Sequence, residues 1–199
     1  IFVARPETQS ELEALAETIL KQTRRPDVLF LLESRSIRKK WLRVATEKLE
    51  QNKIEIKNLN QAAFRNSVEK CDPNAIMTFL SCQDAYGPQY MADHLQAFIY
   101  SPTAVLGKAS HFELKQSSGS AELRREEDEH HIVDTVPSGT VCARRGSLNS
   151  KQIEELVYSG RADFEHSEIY AGHRFNYCRT LSGTKPGQLP SSLTETIYV

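Results

Sequence analysis

The segment TFLSCQDAYGPQYMADHL, residues 78–95, decides how the chain is read. It runs from an apolar stretch into one carboxylate, Asp84, then through an aromatic residue and the Gly87-Pro88 pair. From Gln89 onward Met91, His94, Leu95, Phe98 and Ile99 recur at helical spacing. A buried strand that ends in a carboxylate and turns into a helix is the joint where open α/β sheets gather ligands, outside the carboxyl ends of their strands.

The segments on the amino-terminal side extend this pattern. AIMTFL, residues 75–80, reads as the buried strand itself, preceded by a helix over 61–70 and a strand in KIEIKNL, residues 53–59. Ile37, Trp41, Val44, Ala45 and Leu49 mark one face of an earlier helix. The run Val28 to Leu32 lacks alternation, as expected of a parallel strand covered on both faces. Thr8 and Glu11 form a capping box for a first helix lined by Leu12, Leu15, Ala16, Ile19 and Leu20. Phe2 to Ala4 supplies an opening strand that Pro6 ends. Strand and helix alternate throughout, which predicts an α/β fold: an open, mostly parallel sheet with helices on both faces and right-handed crossovers. The strand ends at Glu33 and at Ser81 to Asp84 are the places to search for a site.

The second half is less regular. TAVLGKASHFELK carries two strands, ELRREEDEHH is a charged stretch read as a solvated loop or helix face, GTVCARR a short strand and SKQIEELVYSG a helix. The stretch GTKPGQLPSS, residues 183–192, has turn composition and reads as part of a loose tail or a linker to absent domains. The opening Ile1-Phe2, with no initiating Met, suggests a processed chain or an excised segment.

Composition narrows the function classes. The 26 acidic and 25 basic residues leave a net charge of -1, with no basic stripe interleaved with aromatics, so nucleic acid is not an expected partner. No run reaches the length of a transmembrane helix. Cys71, Cys82, Cys142 and Cys178 are too widely spaced for a metal or redox pair; reduced, mostly buried thiols in a cytoplasmic setting are the expectation. None of the six histidines has a zinc spacing.

Four stretches together resemble the nucleotide-sugar glycosyltransferases of GT-A fold, in particular bacterial inverting, metal-dependent members. They are ARPETQSELEALAETILKQTRRPDVLFLLES, FLSCQDAYGPQYMADHLQAF, the pair GKASHFE and SGTVCARRGSL, and IYAGHRFNYCR. ARPETQSELEALAETILKQTRRPDVLFLLES is similar to the family's opening strand, helix and second strand, with the recurrent Gln-Thr at the helix end. FLSCQDAYGPQYMADHLQAF is similar to its metal motif and following helix, the pair to strands that shape the donor and acceptor clefts, and IYAGHRFNYCR to a closing strand. The resemblance covers residues 1–181 as one GT-A-like domain, with 182–199 as the tail.

The resemblance implies transfer of a sugar from a nucleotide donor, with a UDP-sugar as the expected donor, to a hydroxyl on a glycan or polymer acceptor. It implies Mn2+ or Mg2+ bridging the diphosphate oxygens as the sugar-phosphate bond breaks. The sequence departs from the family where that metal would sit. Asp-x-Asp-Asp is the common cluster, and the aligned positions here are Ser81, Cys82, Gln83 and Asp84. Asp84, with the Gln83 amide oxygen, is the metal candidate; a turn or strand-end role is the alternative for Asp84. Arg5, in ARP where relatives have Asn-Arg-Pro, is placed near the donor phosphates or in an ion pair. Glu33 is placed at the base or ribose, with a loop contact as the alternative. The catalytic base falls in RADFEHSE, where Asp163 is the first candidate and Glu165 the second. A noncatalytic GT-A-like module, serving binding, structure or neighbouring domains, is the competing reading.

Overall fold

The computed structural model describes residues 1–101, 103–115, 119–159, 169–180 and 186–198. Its first part follows the expected alternation: β1 (Phe2–Ala4), α1 (Gln9–Lys21), β2 (Val28–Leu32), α2 (Lys39–Glu50), β3 (Glu55–Leu59), α3 (Gln61–Glu69) and β4 (Ile76–Leu80). There follow β5 (Ala85–Tyr86), α4 (Tyr90–Tyr100), β6 (Val105–Gly107), β7 (His111–Lys115), β8 (Ser120–Arg124), β9 (Ile132–Val133) and β10 (Cys142–Arg144). The last elements are α5 (Ser150–Tyr158), β11 (Ile169–Ala171), β12 (Tyr177–Thr180) and α6 (Ser191–Ile197).

Eight strands form the main sheet in the order β3-β2-β1-β4-β10-β6-β11-β9. The four on the β3 side are parallel, whereas β10 runs antiparallel to both β4 and β6, so the sheet is mixed. Successive side chains on each strand enter opposite cores, as the two-residue period requires. Phe2, Ala4, Leu29, Leu31 and Leu80 join Leu12, Leu15, Ile19, Leu49 and Met91 from α1, α2 and α4. Val3, Phe30, Leu32, Met77 and Phe79 join Phe64, Val68, Ile153 and Leu156 from α3 and α5 on the other face. Helices therefore cover both faces, as the unbroken apolar runs imply.

The chain also builds a second sheet, β5-β12-β7-β8, which nothing in the sequence pattern announced. The stretch IYAGHRFNYCR, read as one closing strand, divides into β11 in the main sheet and β12 in the second. The break falls before Asn176, whose φ of 63° puts it in the left-handed region that asparagine tolerates better than most residues. The charged stretch at 122–131 is in part β8, whose Glu122 and Arg124 pair with Lys115 and Glu113 of β7. The described part of the expected tail is not loose. Ile197 is fully buried with Ala85, Leu114 and Cys178, and Leu189, Leu193 and Tyr198 pack against them. The Ile197 carbonyl also accepts a 2.8 Å hydrogen bond from the Asn176 N–H.

Two local features explain the joint after β4. Gln22, buried at the end of α1, donates from Nε2 to the Gly87 carbonyl at 2.7 Å and accepts from the Met91 N–H at 3.1 Å. It thereby satisfies one of the orphan donors at the start of α4, which has no side-chain cap of its own. A Cβ on Gly87 would lie 2.3 Å from Asn176 Oδ1, so only glycine fits at this turn. Thr23 completes the contact through its N–H to the Pro88 carbonyl at 2.9 Å.

All four cysteines are free thiols. Among the described residues no helix is long and apolar enough to cross a membrane.

Because Ile197 sits wholly inside the smaller core, Ile197→Ala should lower the unfolding free energy by about 2–5 kcal/mol in urea titration, the usual cost of removing so many buried atoms. A loss below about 0.5 kcal/mol would mean that α6 adds nothing to the domain.

Candidate functional site

The strand order reverses between β1 and β4. From β1 the chain steps outward to β2 and β3, then returns through α3 to β4 on the other side of β1. Such a switch point leaves a crevice at the carboxyl ends of the two diverging strands. A cavity of about 220 Å³ lies there, between the ends of β1 and β4, the start of α1, the turn at Ser138-Gly139 and the carboxy-terminal half of α5. Its polar walls come from Arg5, Glu7, Glu11, Ser81, Gln83 and Ser138.

Each charged wall residue is held by the local fold. Glu7 Oε1 pairs with Arg5 Nη1 at 3.0 Å, and its Oε2 accepts from the Ser34 hydroxyl at 2.9 Å. The Arg5 guanidinium lies 5.1 Å from the Tyr158 ring centroid, a cation-π contact that orients it. Its Nε is buried without a partner. Glu11 is only 5% exposed; it closes the capping box by accepting from the Thr8 N–H at 3.2 Å, and takes further bonds from the Glu7 N–H and from Gln83 Nε2.

Asp84 does not line the cavity. It is 7% exposed, and its two oxygens point into the fold: Oδ2 accepts from the Tyr177 hydroxyl at 2.8 Å and Oδ1 from the Thr180 N–H at 3.0 Å. Burial pushes its pKa up; the bonds from Thr180, Tyr177 and Ser81 oppose that shift without reversing it. Around it Tyr86 and Tyr90 stack edge-on with ring centroids 4.7 Å apart, and both hydroxyls donate to the Gly139 carbonyl, at 2.8 and 3.3 Å. The Tyr86 oxygen also accepts from the Ser81 N–H at 2.8 Å. Gly139 is pressed so closely on this group that a Cβ would stand 2.8 Å from both Ser81 Cβ and the Tyr86 hydroxyl.

Glu33 is exposed at the end of β2 and is not part of the cavity wall. Asp163 and Glu165 lie outside the described residues. His173 sits beyond β11, its Nε2 3.2 Å from Asp93 Oδ2. Lys108 is 1% exposed; its ammonium donates to the carbonyls of His173 and Phe175 at 2.8 and 2.7 Å, and burial lowers its pKa to about 8. It fastens the 173–175 loop. Arg144 pairs with Ile76 at the beginning of β4, the opposite end from the cavity. Glu7, Ser138 and Gly139 were not visible as site residues, and Glu11 was visible only as a helix cap.

The described residues of the candidate site do not fit a divalent cation. A hard cation needs several oxygen ligands. The two Asp84 oxygens are taken by Tyr177 and Thr180, and the Gln83 amide is turned to Glu11. Among the described residues no three His, Cys, Asp or Glu side chains converge to hold a metal. No family model matches this sequence, and no curated protein matches it at a significant level.

The raised pKa of Asp84 fixes the sign of its contribution. The native state binds the proton more tightly than the unfolded chain, so this group favours folding most below the unfolded carboxylate range and loses that contribution as pH rises through its native pKa. Asp84→Asn should therefore flatten the decline in stability as pH rises from about 4 towards neutrality. Urea midpoints across that range would check this; parallel wild-type and variant curves would contradict it.

Proposed function

We propose that this chain is a GT-A-like relative of the nucleotide-sugar glycosyltransferases that acts as a noncatalytic binding or scaffolding module. One observation carries the reading: Asp84, the remaining carboxylate of the expected metal cluster, spends both oxygens on β12. Asp84 is also buried and does not line the cavity, so a cation seated there would not meet it. The order of the first four strands, the covered faces and the switch-point crevice support the family resemblance. Fold likeness alone does not give activity, because function belongs to the site.

The cavity agrees with this. Two carboxylates and one guanidinium line it, and the guanidinium is already paired with Glu7. A diphosphate needs compensating positive charge, which a metal would supply in an active transferase. Sugar transfer to a glycan or polymer hydroxyl, with Mn2+ or Mg2+ and a base at Asp163 or Glu165, is the reading against which this one is tested.

Calorimetric titration with a panel of UDP-sugars, with and without Mn2+, separates them. The module reading expects no Mn2+-dependent heat with wild type or with Asp84→Asn. Donor binding that requires Mn2+ in wild type and disappears in the folded Asp84→Asn variant would establish the transferase reading.

A further inference from the structure

Two parallel strand pairs cross from the main sheet into the second. β6 leads to β7 through residues 108–110, and β11 leads to β12 through residues 172–176, with β11 paired to β6 and β12 to β7. A few polar groups tie these crossings to each other and to α4. Lys108 Nζ, from the first crossing, donates to the His173 and Phe175 carbonyls of the second. Asp93 Oδ2, on α4, accepts from Asn176 Nδ2 at 3.1 Å and lies 3.2 Å from His173 Nε2 and 3.8 Å from Lys108 Nζ. His94, the next residue of α4, is 2% exposed, with its ring edge-on to Tyr90. Its Nε2 is buried without a hydrogen-bond partner among the described residues. The cavity that Asp93, His94, Lys108 and His173 line is about 10 Å³, room for no more than one water.

The charges around His94 are unbalanced. Asp93, Tyr90 and Tyr100 face this place from α4, Lys108 and His173 face it from the two crossings, and Glu129, after β8, acts on Lys108 from farther out. Asp93 is the one carboxylate lining the cavity among the described residues, and its Oδ2 is already engaged. A proton on His94 would set a second buried cation beside the Lys108 ammonium, with no anion left to receive it. Burial, and then Lys108 and His173, hold this imidazole well below the ordinary histidine range, so it is neutral in the packed joint.

We propose that His94 is an acid-sensitive release in the joint between the two sheets: its protonation frees the crossing at 172–176 from α4. The packed joint binds this proton less tightly than an opened one in which the ring meets water. The packed form is therefore favoured in full above the ordinary histidine range and loses that advantage as pH falls below about 6.5. This device stands apart from the cavity at the switch point and from whatever that cavity binds.

Amide hydrogen exchange of the full chain, followed residue by residue by NMR at about pH 7 and about pH 5, tests it. The Gly172 N–H, bonded to the Gly107 carbonyl, and the Asn176 N–H, bonded to the Ile197 carbonyl, report on the crossing. Their protection factors in wild type should fall at least about tenfold at the lower pH, while those of Leu31 and Phe79 in the main sheet hold. In His94→Phe, which cannot take the proton, the fall should stay below about threefold. His94→Gln repeats the measurement should the phenylalanine variant fail to fold by circular dichroism. Wild-type protection at Gly172 and Asn176 that is indifferent to pH would overturn the assignment. So would an equal fall in a folded His94 variant, or a loss shared by Leu31 and Phe79.

Discussion

A carboxylate taken out of water must be given hydrogen bonds where it lands, and the placement of Asp84 organises this domain around that requirement. The Tyr177 hydroxyl and the Thr180 N–H both belong to β12, which pairs with β5 immediately after Asp84, so meeting the need of this one side chain ties the turn that follows β4 to the second sheet. β12 then sets β5 and β7 on either side of it, and α6 closes the small core they share. The tyrosine group tightens the same joint: Tyr86 and Tyr90 draw the Gly139 turn down onto the end of β4, where it forms one wall of the cavity.

This explains how one position can be read in two ways. A carboxylate at the end of a buried strand, at a switch point, is where an α/β protein would hold a cation or a phosphate-bearing ligand. It is also a point where a second layer can be fastened. With Ser81, Cys82 and Gln83 preceding it, Asp84 has no neighbouring carboxylates with which to share a cation, and the chain supplies β12 to satisfy it instead. At the start of α1 a second buried carboxylate is satisfied in the same way, Glu11 accepting from the N–H groups of Glu7 and Thr8.

The parallel part of the sheet was legible because its strands announce themselves locally. Val28 to Leu32 and Ile76 to Leu80 are apolar on both faces, and Thr8 with Glu11 marks the helix start without reference to anything distant. The second sheet was not legible for the opposite reason. β5 has two residues and β12 four, and what assigns them to a separate sheet is their pairing with each other and that of β12 with β7, between segments far apart in the chain. Turn-forming composition hid α6, whose burial depends on Ile197 and Leu193 meeting a surface built elsewhere. Arg5 lies in the cavity wall and Asp84 does not, because the side to which a carboxylate turns is decided by its partners.

The claim that Asp84 ties the turn after β4 to β12 is tested most directly by a double-mutant cycle in urea, combining Asp84→Ala with Tyr177→Phe. Removing either partner of a buried charge-assisted bond should destabilise the fold, and the two losses should overlap, giving a coupling of about 1.5–3 kcal/mol. Strictly additive losses, within about 0.3 kcal/mol, would show that Asp84 and Tyr177 do not act through each other and would contradict the account.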